Sequence, residues 1–236
     1  MKAIVLAAGM GKRLQEASGG LPKSMIRIGK RSIIHNQIQS CLEVGISNFI
    51  FVLGFKKDHL KEHILEILKP EQALFVENPI YDKTNTLYSL YLTMEHWDQD
   101  FIYFNADVLF KKDLLRKISD SSEHSQLLVE TKKCGEEEVK VILNEKNYIT
   151  EIGKKLEISS CAGEFIGVGK FKQEVFHSFK KHLIQGVEDG QENNFFEYAV
   201  NFVAKECLLE AVPTDDVPCI EIDFPEDLEK AIQLFS

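Results

Sequence analysis

The residues best suited to chemistry in this sequence form a glycine-containing loop behind a short apolar run. The run Ala3 to Leu6 continues as Ala7-Ala8-Gly9-Met10-Gly11, with Arg13 two residues later and Pro22-Lys23 further along. Glycines let main-chain N–H groups approach a polyphosphate closely, and Arg13 and Lys23 add the positive charge that neutralises it. A dinucleotide-binding fingerprint needs a third glycine near position 14, where this chain has leucine, so that type of loop is excluded. The pattern predicts a phosphate-binding loop.

Two aspartates that are distant in the sequence each follow a strand-like run. Asp107 follows the run 101–104, and Asp223 follows the run 219–222. Ligands of open α/β sheets bind beyond the carboxyl ends of the strands. We therefore expect Gly9, Asp107 and Asp223 to converge on one crevice. Asp223 has a second interpretation, as the N-cap of the helix that begins near Pro225, and the two roles are compatible.

The elements that must position these residues alternate between strand and helix in the first half. Repeated strand–helix–strand units predict an α/β, doubly wound and mostly parallel sheet, and a hairpin in the second half makes the sheet mixed. We expect strands at 3–6, 49–53, 73–76, 101–104, 139–143, 148–152, 165–171 and 219–222. We expect helices that carry 34–42, 60–68, 85–96, 173–185, 194–205 and 225–234.

The composition narrows the functional class. The chain has 236 residues and a net charge of −9, and no run of Lys or Arg exceeds two residues. This composition argues against nucleic acid or an anionic membrane as a partner, because binding to either needs a concentrated basic surface. No apolar run approaches the ~20 residues of a membrane span, and the start does not read as a signal peptide, so we expect a cytoplasmic protein. The five widely spaced cysteines indicate reduced thiols.

The glycine loop and the later motifs together resemble the sugar-phosphate and choline-phosphate nucleotidyltransferases, and are closest to the phosphocholine and phosphonate cytidylyltransferase type. The resemblance rests on Leu6–Leu14 with Pro22-Lys23, and it continues at Gly45-Ile46, Gly54, 85–90, 105–107, 152–155, 163–167 and 221–223. It implies a Rossmann-like nucleotidyltransferase fold over residues 1–236. In that fold, 1–110 would form the nucleotide-binding half and 111–236 the acceptor-binding half.

The resemblance also implies a reaction. A nucleoside triphosphate would lie across the glycine loop, and an acceptor phosphate would attack its α-phosphorus while pyrophosphate leaves. A phosphate monoester is largely dianionic at neutral pH, because its second pKa is about 6. Such a nucleophile therefore needs no general base. By this resemblance Arg13, Lys23, Asp107 and Asp223 are the catalytic residues, and Asp107 and Asp223 bind Mg²⁺. Many relatives carry two acids in the segment where this chain has Asn105-Ala106-Asp107, so we assign Asn105 only polar support.

The remaining site residues are assigned by the same resemblance. Nucleotide binding is expected from Leu6, Ala7, Ala8, Gly9, Met10, Gly11, Arg13, Lys23, Asn85, Thr86 and Ser89. Asn85, Thr86 and Ser89 have an alternative role in helix capping. Acceptor binding is expected from Lys154 or Lys155, Glu164, Asp189 and Tyr198. The acidic and aromatic segment 188–198 could equally be a solvated loop and a helix with core aromatics.

These assignments predict a nucleotidyltransferase that moves CMP from CTP to phosphocholine, 2-aminoethylphosphonate or a similar acceptor. Two alternatives stay open: a sugar-1-phosphate nucleotidyltransferase, and a catalytically silent nucleotide-binding regulator. The oligomeric state is also open, with a homodimer as one option. His59 and His63 have the spacing of paired zinc ligands, but the absence of a third ligand nearby favours a solvated helix flank.

Overall fold

A computed structural model describes residues 1–119 and 122–235. Its strands, numbered in chain order, are β1 (Lys2–Ala7), β2 (Arg27–Ile28), β3 (Arg31–Ser32), β4 (Phe49–Leu53), β5 (Ala73–Glu77), β6 (Phe101–Asn105), β7 (Val108–Phe110), β8 (Ser125–Glu130), β9 (Lys140–Leu143), β10 (Ile149–Gly153), β11 (Gly163–Phe171), β12 (Leu209–Pro213) and β13 (Cys219–Glu221). Its α-helices are α1 (Ile33–Glu43), α2 (Lys57–Leu65), α3 (Thr86–Tyr91), α4 (Lys112–Ser119), α5 (Phe176–Glu188), α6 (Glu197–Glu206) and α7 (Pro225–Phe235).

A central nine-stranded sheet runs in the order β10-β9-β11-β6-β1-β4-β5, and β8 and β12 extend it beside β11. β1 lies between β4 and β6 and is parallel to both, and β5 is parallel to β4. β11 is antiparallel to β6, β8 and β9, which confirms the predicted mixed sheet. Strands from both predicted halves therefore belong to one sheet.

Apolar side chains cover both faces of this sheet. Ile4 and Tyr103 pack in one cluster with Trp97, and Val5 and Phe104 pack in the other. Successive residues of β1 and β6 thus face opposite clusters, and each strand is buried on both faces. This explains why the sequences of both strands are continuously apolar. Burial of each large side chain contributes about 1.5–3 kcal/mol, so the sheet is a rigid base for the loops at its carboxyl edge.

A third, smaller cluster lies at that edge. It contains Leu14, which follows the glycine loop, and Ile222 and Ala231, which belong to the segment around α7. Leu14 and Ile222 are 1% and 0% exposed, so the glycine loop and the β13–α7 junction are held against each other by apolar contact. This packing joins the N-terminal loop to a segment some 200 residues later in the chain.

One predicted helix is shorter than expected. The sequence predicted a helix from Asn85 or Thr86 to about His96, whereas α3 ends at Tyr91 and a 3-10 turn covers Met94–His96. The amide and the hydroxyl of buried Thr93 both donate to the carbonyl of Leu90, at 3.0 and 2.7 Å. That arrangement replaces the next α-helical hydrogen bond by the tighter 3-10 pattern.

Several elements were not predicted, namely β2, β3, β7, β8, β12 and α4. The first three have only two or three residues, too few for a periodic signal. β8 begins with two buried polar residues, Ser125 and Gln126, and Gln126 donates to Glu210 on β12 at 2.9 Å. A strand that buries polar groups paired across the sheet does not show the apolar pattern used to find strands. Within the described residues, none of the helices is long and apolar enough to pass through a lipid bilayer.

Candidate active site

The glycine loop opens a cavity of about 340 Å³ at the carboxyl ends of β1 and β6. Gly9 is exposed, and a Cβ atom added there would meet no protein atom within 4 Å. Gly11 has φ +54°, and a Cβ atom there would lie 2.7 Å from the Cβ of Lys23. Gly11 is therefore needed for the fold of the loop, whereas Gly9 keeps open a space that the protein itself does not fill.

Lys23 links the loop to the two predicted aspartates. Its Nζ lies 2.7 Å from Asp107 Oδ2, beyond the end of β6, and 2.7 Å from Asp223 Oδ1, beyond the end of β13. Burial alone would lower the pKa of Lys23, but the two carboxylates outweigh it and raise that pKa above its ordinary value. The structure thus brings together the three segments that the sequence predicted would converge.

A third carboxylate, Glu221, belongs to the same cluster. Glu221 lies two residues before Asp223, and oxygens of Asp107, Glu221 and Asp223 lie within 4.8 Å of one another. Burial, followed by repulsion from Asp107 and Asp223, raises the pKa of Glu221 well above its usual range. Sequence analysis missed Glu221, although alternate residues of a strand share a face and the Glu-x-Asp spacing was a usable signal.

The carboxylate cluster fits a hard divalent cation. Oxygen ligands from one or two carboxylates are what Mg²⁺ takes in sites that also bind phosphate. Asp107 Oδ1 is buried and has no hydrogen-bond partner within residues 1–119 and 122–235. A buried carboxylate oxygen without a partner is costly, and a bound cation would satisfy it.

Arg13 and the start of α3, with Asn85 and Thr86, complete the wall around the loop. The Arg13 guanidinium stacks on the ring of Phe224, 4.5 Å from its centroid, which holds it beside Asp223. Asn85 caps α3 by accepting from the amide of Thr86 at 2.9 Å. Thr86 Oγ1 accepts from the amide of Phe196 at 2.8 Å, so this hydrogen bond links the start of α3 to the start of α6.

Ser89 is held by a residue that sequence analysis did not select. Asn78, which is 1% exposed, donates to Ser89 Oγ at 3.1 Å and to Thr84 Oγ1 at 3.0 Å. All the predicted nucleotide-binding residues line the cavity except Met10, which is half-buried beside it. Tyr81 also lines the cavity and was not predicted. Asn105 accepts from the Tyr103 hydroxyl at 2.5 Å, in agreement with a polar supporting role.

The far end of the cavity has a different composition. Lys154, Phe195 and Glu197 line it, together with Val139. Lys154 Nζ lies 5.1 Å from the centroid of the Phe195 ring. Glu197 is 5% exposed, and its burial raises its pKa to about 7. Its Oε2 has no hydrogen-bond partner among the residues that the structure describes.

Three of the predicted acceptor residues lie outside this cavity. Glu164 lines an adjacent cavity and pairs with Lys132 at 2.5 Å, although Lys154 lines both cavities. Asp189 is exposed after the end of α5 and accepts from Gln185 at 2.9 Å. Tyr198 packs edge-on against Phe202. The structure therefore does not bring Asp189 or Tyr198 to the cavity, because the helical turn of α6 directs Glu197, one residue earlier, into it.

The sheet, the glycine loop and the carboxylate cluster together define a nucleotidyltransferase. Residues 3–159 match the model of the MobA-like NTP transferase domain, and the chain belongs to that family. The match covers the glycine loop, Lys23, Asp107 and Lys154, and it ends before Glu197 and Asp223.

Characterised relatives agree with this family. The chain is 28% identical to the CTP:phosphoglutamine cytidylyltransferase of Campylobacter jejuni over 258 residues, which cover 99% of this chain and 100% of the relative. It is 31% identical to the choline-phosphate cytidylyltransferase of Streptococcus pneumoniae over 126 residues, which cover 53% of each protein. A third relative, the CMP-5'-(3-aminopropyl)phosphonate synthase of Streptomyces rubellomurinus, is 33% identical over 53% of this chain and 20% of its own length.

Solved structures share the fold. The CTP:phosphocholine cytidylyltransferase of Streptococcus pneumoniae superposes with a TM-score of 0.81 at 22% identity, over 100% of this chain and 99% of that one. The inositol-1-phosphate CTP transferase of T. maritima gives the same TM-score of 0.81 at 23% identity, over 99% and 95%. At these identities the likeness establishes the nucleotidyltransferase fold and nothing finer.

Proposed function

We propose that this protein is a Mg²⁺-dependent cytidylyltransferase that transfers CMP from CTP to a small phosphate- or phosphonate-bearing acceptor and releases pyrophosphate. The observation that carries the proposal is the meeting of Lys23, Asp107, Glu221 and Asp223 at the mouth of the glycine loop. CTP is favoured because the three relatives described above, which are 28 to 33% identical to this chain, carry CTP, CMP or cytidylyltransferase in their names. We place the reaction in the cytoplasm.

The residues of the glycine loop would bind and orient the triphosphate. Main-chain amides around Gly9 and Gly11 would donate to phosphate oxygens, and Arg13 would add a guanidinium on the side of the leaving pyrophosphate. Lys23 now neutralises two aspartates, and on nucleotide binding its ammonium would contact phosphate as well. Catalysis would then consist mainly of positioning and of stabilising charge at the transferred phosphoryl group.

Asp107 and Asp223 would hold Mg²⁺, with Glu221 beside them. Bound there, the ion would neutralise charge at the phosphoryl group that is transferred. The acceptor phosphate is largely dianionic at neutral pH, so an acceptor oxygen forms the new bond to the α-phosphorus without a general base. The bond from the α-phosphorus to the bridging oxygen breaks, and that oxygen leaves with pyrophosphate.

The test is pyrophosphate release in the presence of Mg²⁺. CTP, UTP, ATP, GTP and dTTP are each combined with amine-bearing phosphates and phosphonates, glycerol phosphate and several sugar-1-phosphates. We expect release with CTP and an amine-bearing acceptor. Release with sugar-1-phosphates only would reassign the enzyme to that class. Intact CTP binding without release from any pair would favour a silent nucleotide-binding regulator, a role that the joint presence of Arg13, Lys23, Asp107 and Asp223 in one cavity argues against.

A further inference from the structure

The acceptor end of the cavity contains the carboxyl group of Glu197 and the ammonium group of Lys154, which do not form an ion pair with each other. The structure has no ion pair for Lys154 within the described residues, and it leaves Glu197 Oε2 without a donor there. Lys154 and Glu197 interact through space, but their charged atoms do not come within ion-pair distance. A cavity that keeps both charges available is suited to a ligand that carries both opposite charges.

From this arrangement, and building on the proposed cytidylyltransferase activity, we propose that the acceptor is zwitterionic: besides its phosphate or phosphonate it carries an ammonium group bound by Glu197 and a carboxylate bound by Lys154. Acceptors of this class are amino acids whose side chain bears the phosphoryl group.

The environment of Glu197 supports the proposal that this residue binds an ammonium group of the acceptor. Glu197 is the first residue of α6, it is 5% exposed, and it lines the cavity. A buried carboxylate oxygen without a donor, such as Glu197 Oε2, is destabilising, and a ligand that supplies the donor removes that cost. A primary ammonium has three N–H donors and forms a short, charge-assisted hydrogen bond with a carboxylate.

The surroundings of Lys154 support the proposal that its ammonium group binds a carboxylate of the acceptor. The backbone carbonyl of Lys154 accepts from the ammonium of Lys140 at 2.5 Å. Lys140 is itself 1% exposed and also donates to the carbonyls of Glu136 and Glu138, at 3.0 and 3.3 Å. The position of Lys154 in the cavity wall is therefore fixed by a buried network, while its own ammonium stays available for a ligand.

The same geometry argues against a quaternary ammonium head. Such heads are bound by aromatic faces. At this end of the cavity the aromatic residue is Phe195, and the ammonium of Lys154 already lies over its ring, 5.1 Å from the centroid. Val139 lines the cavity at the same end and offers only an aliphatic surface. A trimethylammonium group also has no N–H to donate to Glu197.

Two matched pairs of acceptors test the proposal, because the members of each pair differ only by the carboxylate. Phosphoserine is compared with phosphoethanolamine, and 2-amino-4-phosphonobutyrate is compared with 3-aminopropylphosphonate. With CTP and Mg²⁺, we expect kcat/KM for the better carboxylate-bearing acceptor to exceed that of its partner by roughly 10- to 100-fold, the range of one charge-assisted hydrogen bond.

Two variants test which residue binds the carboxylate of the acceptor and which binds its ammonium group. Lys154→Met should abolish the preference for the carboxylate, so that the ratio of the two kcat/KM values within each pair falls to about one. Glu197→Gln should raise KM for both members of a pair roughly 10-fold or more, with KM for CTP unchanged. Lys155→Met is the matched control, because the exposed Lys155 follows Lys154 in the chain and does not line the cavity.

The proposal and the function on which it rests fail differently. Equal or better turnover of the carboxylate-free members would contradict the proposed zwitterionic acceptor but would be consistent with the proposed cytidylyltransferase activity. An equal loss for both members in Lys154→Met would also overturn it, by assigning Lys154 to the phosphate. No pyrophosphate from CTP with any acceptor would overturn both.

Discussion

The two ends of the cavity handle charge in opposite ways. At the nucleotide end, Lys23 lies 2.7 Å from both Asp107 and Asp223, so these charges are compensated within the protein itself. At the acceptor end, Glu197 and Lys154 stay uncompensated. The compensated end suits any enzyme that binds a triphosphate and a cation, whereas we propose that the uncompensated end selects a zwitterionic acceptor.

The two ends also differ in what builds them. Loops at the carboxyl ends of β1, β6 and β13 form the nucleotide end, where main-chain groups and short side chains are aligned by the sheet. The acceptor end combines the β9–β10 hairpin with the start of α6, which Thr86 fixes through the amide of Phe196. Variants at the two ends should therefore have separable consequences.

The largest effect is expected from the carboxylates of the nucleotide end. Asp107→Asn or Asp223→Asn should lower kcat roughly 10²- to 10³-fold, the loss typical of removing one charge-stabilising group. Circular dichroism should report an intact fold. Asp113→Asn is the control, because Asp113 is an exposed residue of α4 that pairs with Arg116 at 3.0 Å outside the cavity. Full activity in Asp107→Asn would refute the metal assignment.

A smaller effect is expected from Lys23. Lys23→Met should lower kcat/KM for CTP by roughly 30- to 100-fold, because a charge-assisted contact to phosphate is lost. Removal of its ammonium also leaves Asp107 and Asp223 without their partner. The variant should therefore bind Mg²⁺ or Mn²⁺ more tightly than the wild type in the absence of nucleotide, as measured by calorimetry. Weaker cation binding would contradict the compensation that we describe.

At the acceptor end, Glu197 should make stability depend on pH. Its pKa is raised to about 7 in the folded protein, from an ordinary value of 4.5, chiefly by burial and against the opposing effect of Lys154. Between these values the folded state binds more protons than the unfolded state, so Glu197 destabilises the fold as pH rises through 4.5 to 7.

Glu197→Gln removes this penalty. Relative to wild type, the variant should gain about 2 kcal/mol of unfolding free energy between pH 5 and pH 8, as measured by urea denaturation without ligand. A difference between variant and wild type that stays constant with pH would mean that Glu197 does not titrate in this range.

The smallest expected effect distinguishes the two glycines of the loop. Gly11→Ala should lower the unfolding free energy by about 1 kcal/mol, because its φ of +54° disfavours a side chain and the new Cβ would press on Lys23. Gly9→Ala should leave stability unchanged, since its Cβ would meet no protein atom within 4 Å. Equal losses of stability in the two variants would contradict the loop geometry.

The sequence predicted the nucleotide end better than the acceptor end, for physical reasons. Gly9, Lys23 and Asp107 lie at fixed positions relative to buried strands, and the carboxyl ends of parallel strands must meet. Glu221 was missed because its run was read only as a strand, although it alternates with Asp223. Ile220 and Ile222 alternate with Glu221 and Asp223 along this run, so the period of two was the signal that could have found Glu221.

At the other end of the cavity the structure places the predicted Lys154 in the wall, and it places the predicted Glu164, Asp189 and Tyr198 outside. Tyr198 was selected instead of Glu197 because composition suggested an aromatic contact, and periodicity cannot define the face of a helix at its first residue. Asp189 was selected from the acidic character of its segment, but that position lies beyond the end of α5. Glu164 was placed with Lys154, and its ion pair with Lys132 depends on a strand, β8, that the sequence did not predict.

The most direct test of this division is one steady-state experiment on two variants. KM for CTP and KM for the best acceptor are measured in wild type, Gly9→Ala and Glu197→Gln, each with the other substrate saturating. We predict that Gly9→Ala raises KM for CTP alone, because its added methyl group can meet only the nucleotide, and that Glu197→Gln raises KM for the acceptor alone. The reverse pattern, or a rise of both constants in both variants, would contradict the separation of the cavity into two recognition ends.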